Sequence, residues 1–388
     1  MNDDKIQITL EDFPNDIYIQ LEDDFRAEFF KTAWKLNKSY RHLAKKIGVS
    51  NTTMLSFRRG KDTVNLDRAI SIKRLKDILS HCKESENPIF DINIIQKHVE
   101  YIRAKHGMKI YNPRLPIEDS IELREIVTHL LCDGSALIEK QTNSKYALTD
   151  LDAVEEFMNK LSIFGNNSDM QILERRYNNH YKTCYVLGFS KAITYILAHK
   201  FKIDFRGTKA RIPLEFLNGS RDLLCAILRA FLIDEGCIHD RNIIFCSGNL
   251  NLLNDLRKIC LLLDYKCQNI RNKNNSIFYL YISPDSFERV YRDLKNLKPL
   301  SIKDKQQRLD LGYSILTNKP DFSKLNEDIK RVLLSGPTTS VEISKVLFVN
   351  SKTIYERLNK MYRRKVINKY RKSNNGRGGS LIWEIKIN

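Results

Sequence analysis

Two short runs in the 388-residue sequence end in the same way. LREIVTHLLCDGS (123–135) and LCAILRAFLIDEGC (224–237) are apolar helical stretches, and each closes on a carboxylate followed by glycine: Asp133-Gly134 and Glu235-Gly236. One acid–glycine step is an ordinary helix end, because glycine readily makes the turn that follows. Two such steps at matching places point to a paired role. If the fold brought them together, the carboxylates and the negative helix ends would repel each other. A hard, oxygen-seeking divalent cation relieves that repulsion. Thiol and zinc chemistry have little support. The eight cysteines are scattered with no CxxC pair, and the eight histidines show no HExxH spacing. The cysteines read as reduced core residues of an intracellular protein.

The elements around the two acids repeat as well. After the first run come a strand in KYALTD, a helix in LDAVEEFMNKLSIFG, strands in MQILERR and TCYVLGFS, and a helix in KAITYILAHKF. After the second come NIIFCSG, LNLLNDLRKICLLLD, KCQNIRN, IFYLYIS and SFERVYRDLKNL, in the same order. Turn residues mark the joints at Asn143-Ser144, Gly165-Asn166-Asn167 and Asn272 to Asn275. Both halves read αββαββα. The motif pair and this order resemble the LAGLIDADG homing-endonuclease family in its single-chain, two-repeat form, over about residues 117–300. KARIPLEFLNGSRDLLCAILRAFLIDEG also resembles the segment between repeats in archaeal and intein-borne members.

The resemblance implies that the two motif helices pack side by side, with small residues one turn apart at the contact. Thr128, Cys132 and Ala230 fit that pattern and Asp234 departs from it. It implies that Asp133 and Glu235 are the catalytic acids and hold Mg²⁺ beside the scissile phosphates. It also implies two sheets forming a saddle on duplex DNA, with Lys140, Lys145, Arg175, Arg176, Lys182, Arg241, Arg271 and Lys273 as contacts. The basic residue that many members place near the second strand of each repeat is missing here; Asp150 and Gly248 stand near those places. Lys145, Lys182, Arg241 and Lys266 are the candidate substitutes.

The chain is basic, with formal net charge +18, and the charge is uneven. Residues 30–80 carry +10 and residues 321–388 carry +9, leaving the rest close to neutral. Two compact basic segments suggest two polyanion-binding modules. In the first, YRHLAKKIGVSNTTMLSFRRGK (40–61) places Leu43, Ala44 and Ile47 on one helix face, breaks at Gly48 and restarts with Ser50 as cap, with Met54, Leu55 and Phe57 turned inward. This resembles the repressor-type helix-turn-helix family. The resemblance assigns Asn51, Thr52 and Thr53 to base edges and Arg58, Arg59 and Lys61 to phosphates. In the second, NEDIKRVLLSG, TSVEISKVLFVN and SKTIYERLNKMYRRKVI are helical stretches, Ser351 is placed to cap the third, and NKYRKSNNGRGGSLIWEIKI alternates, turns and alternates again. This resembles a winged helix-turn-helix, with Lys352, Thr353, Tyr355, Glu356 and Arg357 on the recognition helix and Arg371, Lys372 and Arg377 in the wing.

The expected fold is therefore α+β: a duplicated αββαββα core with an all-α N-terminal helix-turn-helix and a C-terminal winged helix. The expected boundaries are 1–80 for the first module, 81–116 for a connecting region with short helices, 117–205 and 206–300 for the repeats, 301–320 for a linker and 321–388 for the last module. The expected partner is double-stranded DNA. No run suits a membrane span and the acidic N-terminus lacks a signal-peptide pattern, so a cytoplasmic, nucleoid-associated protein is expected. The internal repeat supplies its own pseudo-twofold, which favours a monomer. Two functions suit the resemblance: an Mg²⁺-dependent site-specific endonuclease, or a non-cleaving transcriptional regulator on the same core, as in a bacterial family that joins it to a helix-turn-helix.

Overall fold

The computed structural model describes residues 6–60, 68–82, 87–135, 143–176, 183–272, 276–318, 321–371 and 381–386. It is an α+β chain with small antiparallel sheets. Its contacts gather into two compact units. One comprises Met1–Glu235, Cys246–Leu263 and Ile270–Tyr279, and the other Gly236–Phe245, Asp264–Asn269 and Leu280–Asn388.

The first unit begins with β1 (Gln7–Ile8), β2 (Tyr18–Leu21), α1 (Asp23–Leu36), α2 (Tyr40–Lys46), α3 (Asn51–Arg59), β3 (Ile70–Ser71), α4 (Ile72–Ser80), α5 (Ile92–Ile95), β4 (Val99–Arg103), β5 (Ile110–Tyr111) and β6 (Ile117–Glu118). The α2–α3 pair forms as its sequence suggests. Leu43, Ala44, Ile47, Met54 and Phe57 are buried. The Ser50 hydroxyl accepts from the Thr53 N–H at 3.0 Å. Gly60 ends α3 with φ +68°, and a Cβ there would collide with the Arg26 guanidinium. Leu55 is half-buried and Ser56, not Leu55, is turned in.

Two expectations need correction here. The N-terminal module is not all-α: β2 lies inside an antiparallel sheet of order β3-β2-β4-β5. Residues 81–116 are more than a connection, because they supply β4 and β5. The stretch INIIQKHVEYIRAKHG is helical only at its start. Val99, Tyr101 and Ile102 are β-branched or aromatic and pack as a strand, with Ile102 opposite Ile19 and Tyr101 opposite Gln20. A helical reading of local spacing misses this, because β4 finds its partner about eighty residues upstream. The same segment is tied to the next one: Tyr111 bridges to Asn166, and the Ser190 hydroxyl donates to the Met108 carbonyl at 2.8 Å.

Next come α6 (Ile121–Cys132), β7 (Gly134–Ser135), β8 (Asn143–Leu148), α7 (Leu151–Lys160), β9 (Gln171–Arg176), β10 (Thr183–Ser190) and α8 (Lys191–Lys200). They are followed by α9 (Arg221–Glu235), β11 (Gly236–His239), β12 (Asn242–Ser247), α10 (Leu250–Leu262), β13 (Arg271–Asn272), β14 (Phe278–Ile282) and α11 (Phe287–Lys295). Both series read αββαββα. The first forms a sheet of order β7-β8-β10-β9. Asn143 and Ser144, expected in a turn, instead begin β8, opposite Ser190 and Phe189. The duplication extends to capping: the Asp150 side chain accepts from the Ala153 N–H to cap α7, and Asn249 accepts from Leu252 to cap α10. Helices α6 and α9 pack along each other, and residues 123–131 and 224–233 are buried on every face. A helix apolar nearly all round belongs at the centre of a core.

The second unit contains the β11–β12 hairpin, α11, α12 (Lys303–Thr317), α13 (Leu325–Leu334), β15 (Thr338–Thr339), α14 (Ser340–Leu347), α15 (Ser351–Arg363), β16 (Ile367–Arg371) and β17 (Leu381–Ile385). The expected linker 301–320 is largely helical. Leu309 in α12 is buried, and the Tyr291 and Tyr313 rings stack at 4.0 Å. Its charged run, KDKQQRLD, hides the narrow face that packs. The last three helices and a sheet of order β15-β17-β16 enclose Ile329, Leu333, Ile343, Ile354, Leu358 and Trp383. Asn350, rather than Ser351, caps α15: its side chain accepts from Lys352 and Thr353. Ser351 turns instead to Asp240 in the β11–β12 turn, with its hydroxyl 3.1 Å from Oδ2. Among the described residues no helix is long and apolar enough to cross a membrane.

Candidate functional site

Asp133 follows the last turn of α6, and its N–H donates to the His129 carbonyl at 3.0 Å. Gly134 then starts β7 so tightly that a Cβ there would lie 2.6 Å from the Leu130 backbone. Backbone cannot yield as a flexible side chain can, so the position requires glycine. Glu235 is the last residue of α9, and its carbonyl accepts from the Cys246 thiol at 3.6 Å. Both acids are half-buried.

Beneath them lies a buried polar clamp that ties the two helix ends together. The Asp234 carboxylate is fully enclosed. It lies 2.9 Å from His129 Nδ1 and 2.7 Å from the Tyr146 hydroxyl. Lys160 Nζ lies 3.3 Å from His129 Nε2 and, having only protons to offer, donates to it. The remaining ring proton therefore sits on Nδ1 and is given to Asp234. Burial, and then the Lys160 charge, hold His129 well below the usual imidazole range, so the ring is neutral. Burial and the Asp234 charge push Tyr146 well above its ordinary value, so its hydroxyl stays protonated and donates. Tyr146 is also the strand partner of Gly134. Thus Asp133 adjoins one side of the clamp, and Glu235 adjoins the other through Asp234.

The clamp continues into an ion cluster. Lys160 reaches Glu125 and Glu156, each at 2.9 Å, and Arg229 reaches the same two acids, each at 2.8 Å. Burial raises Glu156, but the Arg229 hydrogen bonds and the Lys160 charge outweigh it and lower its pKa to about 2. α6, α7 and α9 are bound by these contacts. The clamp and the cluster are absent from the sequence-based site, although two signals were visible. Arg, Glu and His interrupt the otherwise apolar LREIVTHLL, and Asp234 replaces an expected small residue.

The basic candidates separate by position. In register, Lys145 and Arg175 fall on one face of the first sheet and Arg176 on the other, where it pairs with Glu174 at 3.5 Å. Arg271 is exposed in β13 and Arg241 is half-buried in the β11–β12 turn. On α3, Asn51, Thr52, Arg58 and Arg59 are exposed and Thr53 is half-buried; Arg58 lies over the Tyr40 ring at 5.2 Å. On α15, Lys352, Tyr355 and Glu356 are exposed, with Thr353 and Arg357 half-buried. Arg371 ends β16. Lys61, Lys140, Lys182, Lys273, Lys372 and Arg377 lie outside the described residues. Asp150 caps α7, and Gly248 immediately precedes Asn249, the cap of α10.

No protein-family profile matches the chain, and no curated protein matches it. Solved structures do. I-DmoI in complex with DNA and Mn is 9% identical over 46% of this chain and 98% of that one, with a TM-score of 0.34. The homing endonuclease I-WcaI bound to its DNA recognition sequence is 15% identical over 49% of this chain and 85% of that one, with a TM-score of 0.35. Full-length DUF199/WhiA from Thermatoga maritima is 13% identical over 63% of this chain and 92% of that one, with a TM-score of 0.35. All three scores lie below 0.5, so the functional reading rests on this chain's own residues.

Proposed function

We propose that this chain binds double-stranded DNA site-specifically and cuts it with a divalent metal ion held by Asp133 and Glu235. The observation that carries the reading is the junction of α6 and α9, where a shared buried clamp adjoins both acids. Among the described residues no group of three or more His, Cys, Asp and Glu could hold a metal. Two hard carboxylates at helix C-termini still suit Mg²⁺, which keeps several waters and commonly binds through one or two carboxylates and substrate phosphates. When bound, such an ion supplies Lewis-acid activation of a phosphodiester. The chain itself would orient the two acids through the clamp and grip the duplex with Lys145 and Arg175 on one sheet face. We read α2–α3 as a helix-turn-helix and α13 to β17 as a winged helix, each adding phosphate and base contacts. The duplicated core supplies both half-sites within a monomer.

A randomised duplex library incubated with Mg²⁺, with bound and cut fractions sequenced, tests the reading. Asp133→Asn and Glu235→Gln are each expected to abolish double-strand cutting while keeping or tightening metal-free binding, because negative charge near phosphate falls. Cutting that persists undiminished in the double variant refutes the assignment. One observation favours the second reading, a non-cleaving regulator: Asp150 is committed to capping α7 and Gly248 has no side chain, so neither place offers a cation to polarise the phosphate. In that case the library yields a bound fraction and no cut fraction.

A further inference from the structure

The duplication reveals a pattern in the clamp. The pairs Gly134↔Tyr146 and Gly236↔Phe245 align the two copies. By that alignment His129 corresponds to Phe231, Tyr146 to Phe245 and Cys132 to Asp234. Copy one contributes the two donors, His129 and Tyr146, and copy two contributes the acceptor, Asp234. The reciprocal places hold Phe231, Phe245 and Cys132. At each of the three places one copy carries a member of the clamp and the other carries Phe or Cys. Any one polar member alone would bury an unsatisfied group, at a cost that the set avoids together.

We propose that His129, Tyr146 and Asp234 are positioning residues that fix the separation of the Asp133 and Glu235 carboxylates and so set the affinity for the divalent cation. The inference rests on the proposed metal-dependent function. Glu235 directly follows Asp234. Asp133 is bonded through its N–H to the His129 carbonyl and leads into Gly134, the partner of Tyr146. Two hydrogen bonds onto one carboxylate hold the end of α9 against α6 and β8, where the last carbonyls of each helix lack intrahelical partners and the like dipole ends repel. Apolar packing resists separation of the helices but is weakly directional. Hydrogen bonds at 2.7 and 2.9 Å also fix the rotation and slide of one helix end on the other.

The test uses the full chain and Mn²⁺, with uptake read from the loss of the free-ion electron paramagnetic resonance signal, alongside circular dichroism and the rate of cutting. Tyr146→Phe removes one hydroxyl and installs the residue that copy two already carries, so it should remain folded. It is expected to weaken Mn²⁺ binding about 10- to 100-fold, as loss of a group supporting a ligand does, and to slow cutting at subsaturating metal more than at saturation. Asp234→Asn should act in the same direction; if it does not fold, Tyr146→Phe decides. A purely structural role would lower thermal stability without moving Mn²⁺ affinity. Unchanged affinity in Tyr146→Phe, with affinity lost in Asp133→Asn, overturns the clamp inference and leaves the proposed function standing. Wild-type chain that neither takes up Mn²⁺ nor cuts duplex overturns both.

Discussion

Arg229→Met tests the ion cluster that holds the motif helices. The guanidinium is 1% exposed and lies between Glu125 and Glu156, whose side chains are 3% and 18% exposed. Methionine keeps much of the length and removes the charge. Two buried carboxylates would then share a single cation, Lys160. The magnitude follows from Glu156, whose pKa is lowered from 4.5 to about 2 even though burial alone would raise it. A gap of that size corresponds to about 3 kcal/mol of favourable charge interaction at neutral pH, divided between Arg229 and Lys160. Removing one partner of a buried pair costs about 3–5 kcal/mol, because the remaining charge keeps its desolvation penalty. A chain of several modules need not unfold in one step, so the suitable assay is native-state amide exchange in α6 and α9. Protection there should fall roughly 100- to 4,000-fold, at tenfold per 1.4 kcal/mol. Adding Glu125→Gln should recover part of the loss. A change smaller than about tenfold (1.4 kcal/mol) in both helices would show that the cluster contributes little and would refute the argument.

Three further outcomes are expected. Because the folded-state pKa of Glu156 is depressed, its contribution is fully present above pH 4.5 and is lost as pH falls toward about 2; exchange protection of α7 should drop through that window, and Glu156→Gln should flatten the drop. Gly134→Ala forces a methyl against the Leu130 backbone and should destabilise the α6–β7 junction by about 1–3 kcal/mol, read as a lower thermal midpoint. Arg58→Ala and Arg59→Ala should weaken DNA binding evenly across sequences and reduce its salt dependence, whereas Asn51→Ala should shift sequence preference by about 1–3 kcal/mol at the affected base pair, both read by binding titrations over salt and sequence.

The sequence alone determined the periodic parts of this protein. The two acid–glycine helix ends, the repeated αββαββα order and the α2–α3 pair with its Ser50 cap depend on spacing within a dozen residues, where local sterics and capping decide the outcome. Tertiary structure decided what depends on distant partners. Val99–Arg103 became a strand because Tyr18–Leu21 offered an edge. Lys303–Thr317 became a packed helix because Leu309 and Tyr313 found cover that the charged flanks did not announce. Ser351 gave up the cap of α15 because Asp240 bonds its hydroxyl and Asn350 takes the cap instead. At the candidate site, the two acid–glycine helix ends could be read from the chain, but the reason the Asp234 carboxylate lies fully enclosed could not. A buried carboxylate is tolerated only when donors surround it, and His129 and Tyr146 lie 105 and 88 residues away in sequence. Only the packing of α6, α9 and β8 brings those donors within hydrogen-bonding distance of it.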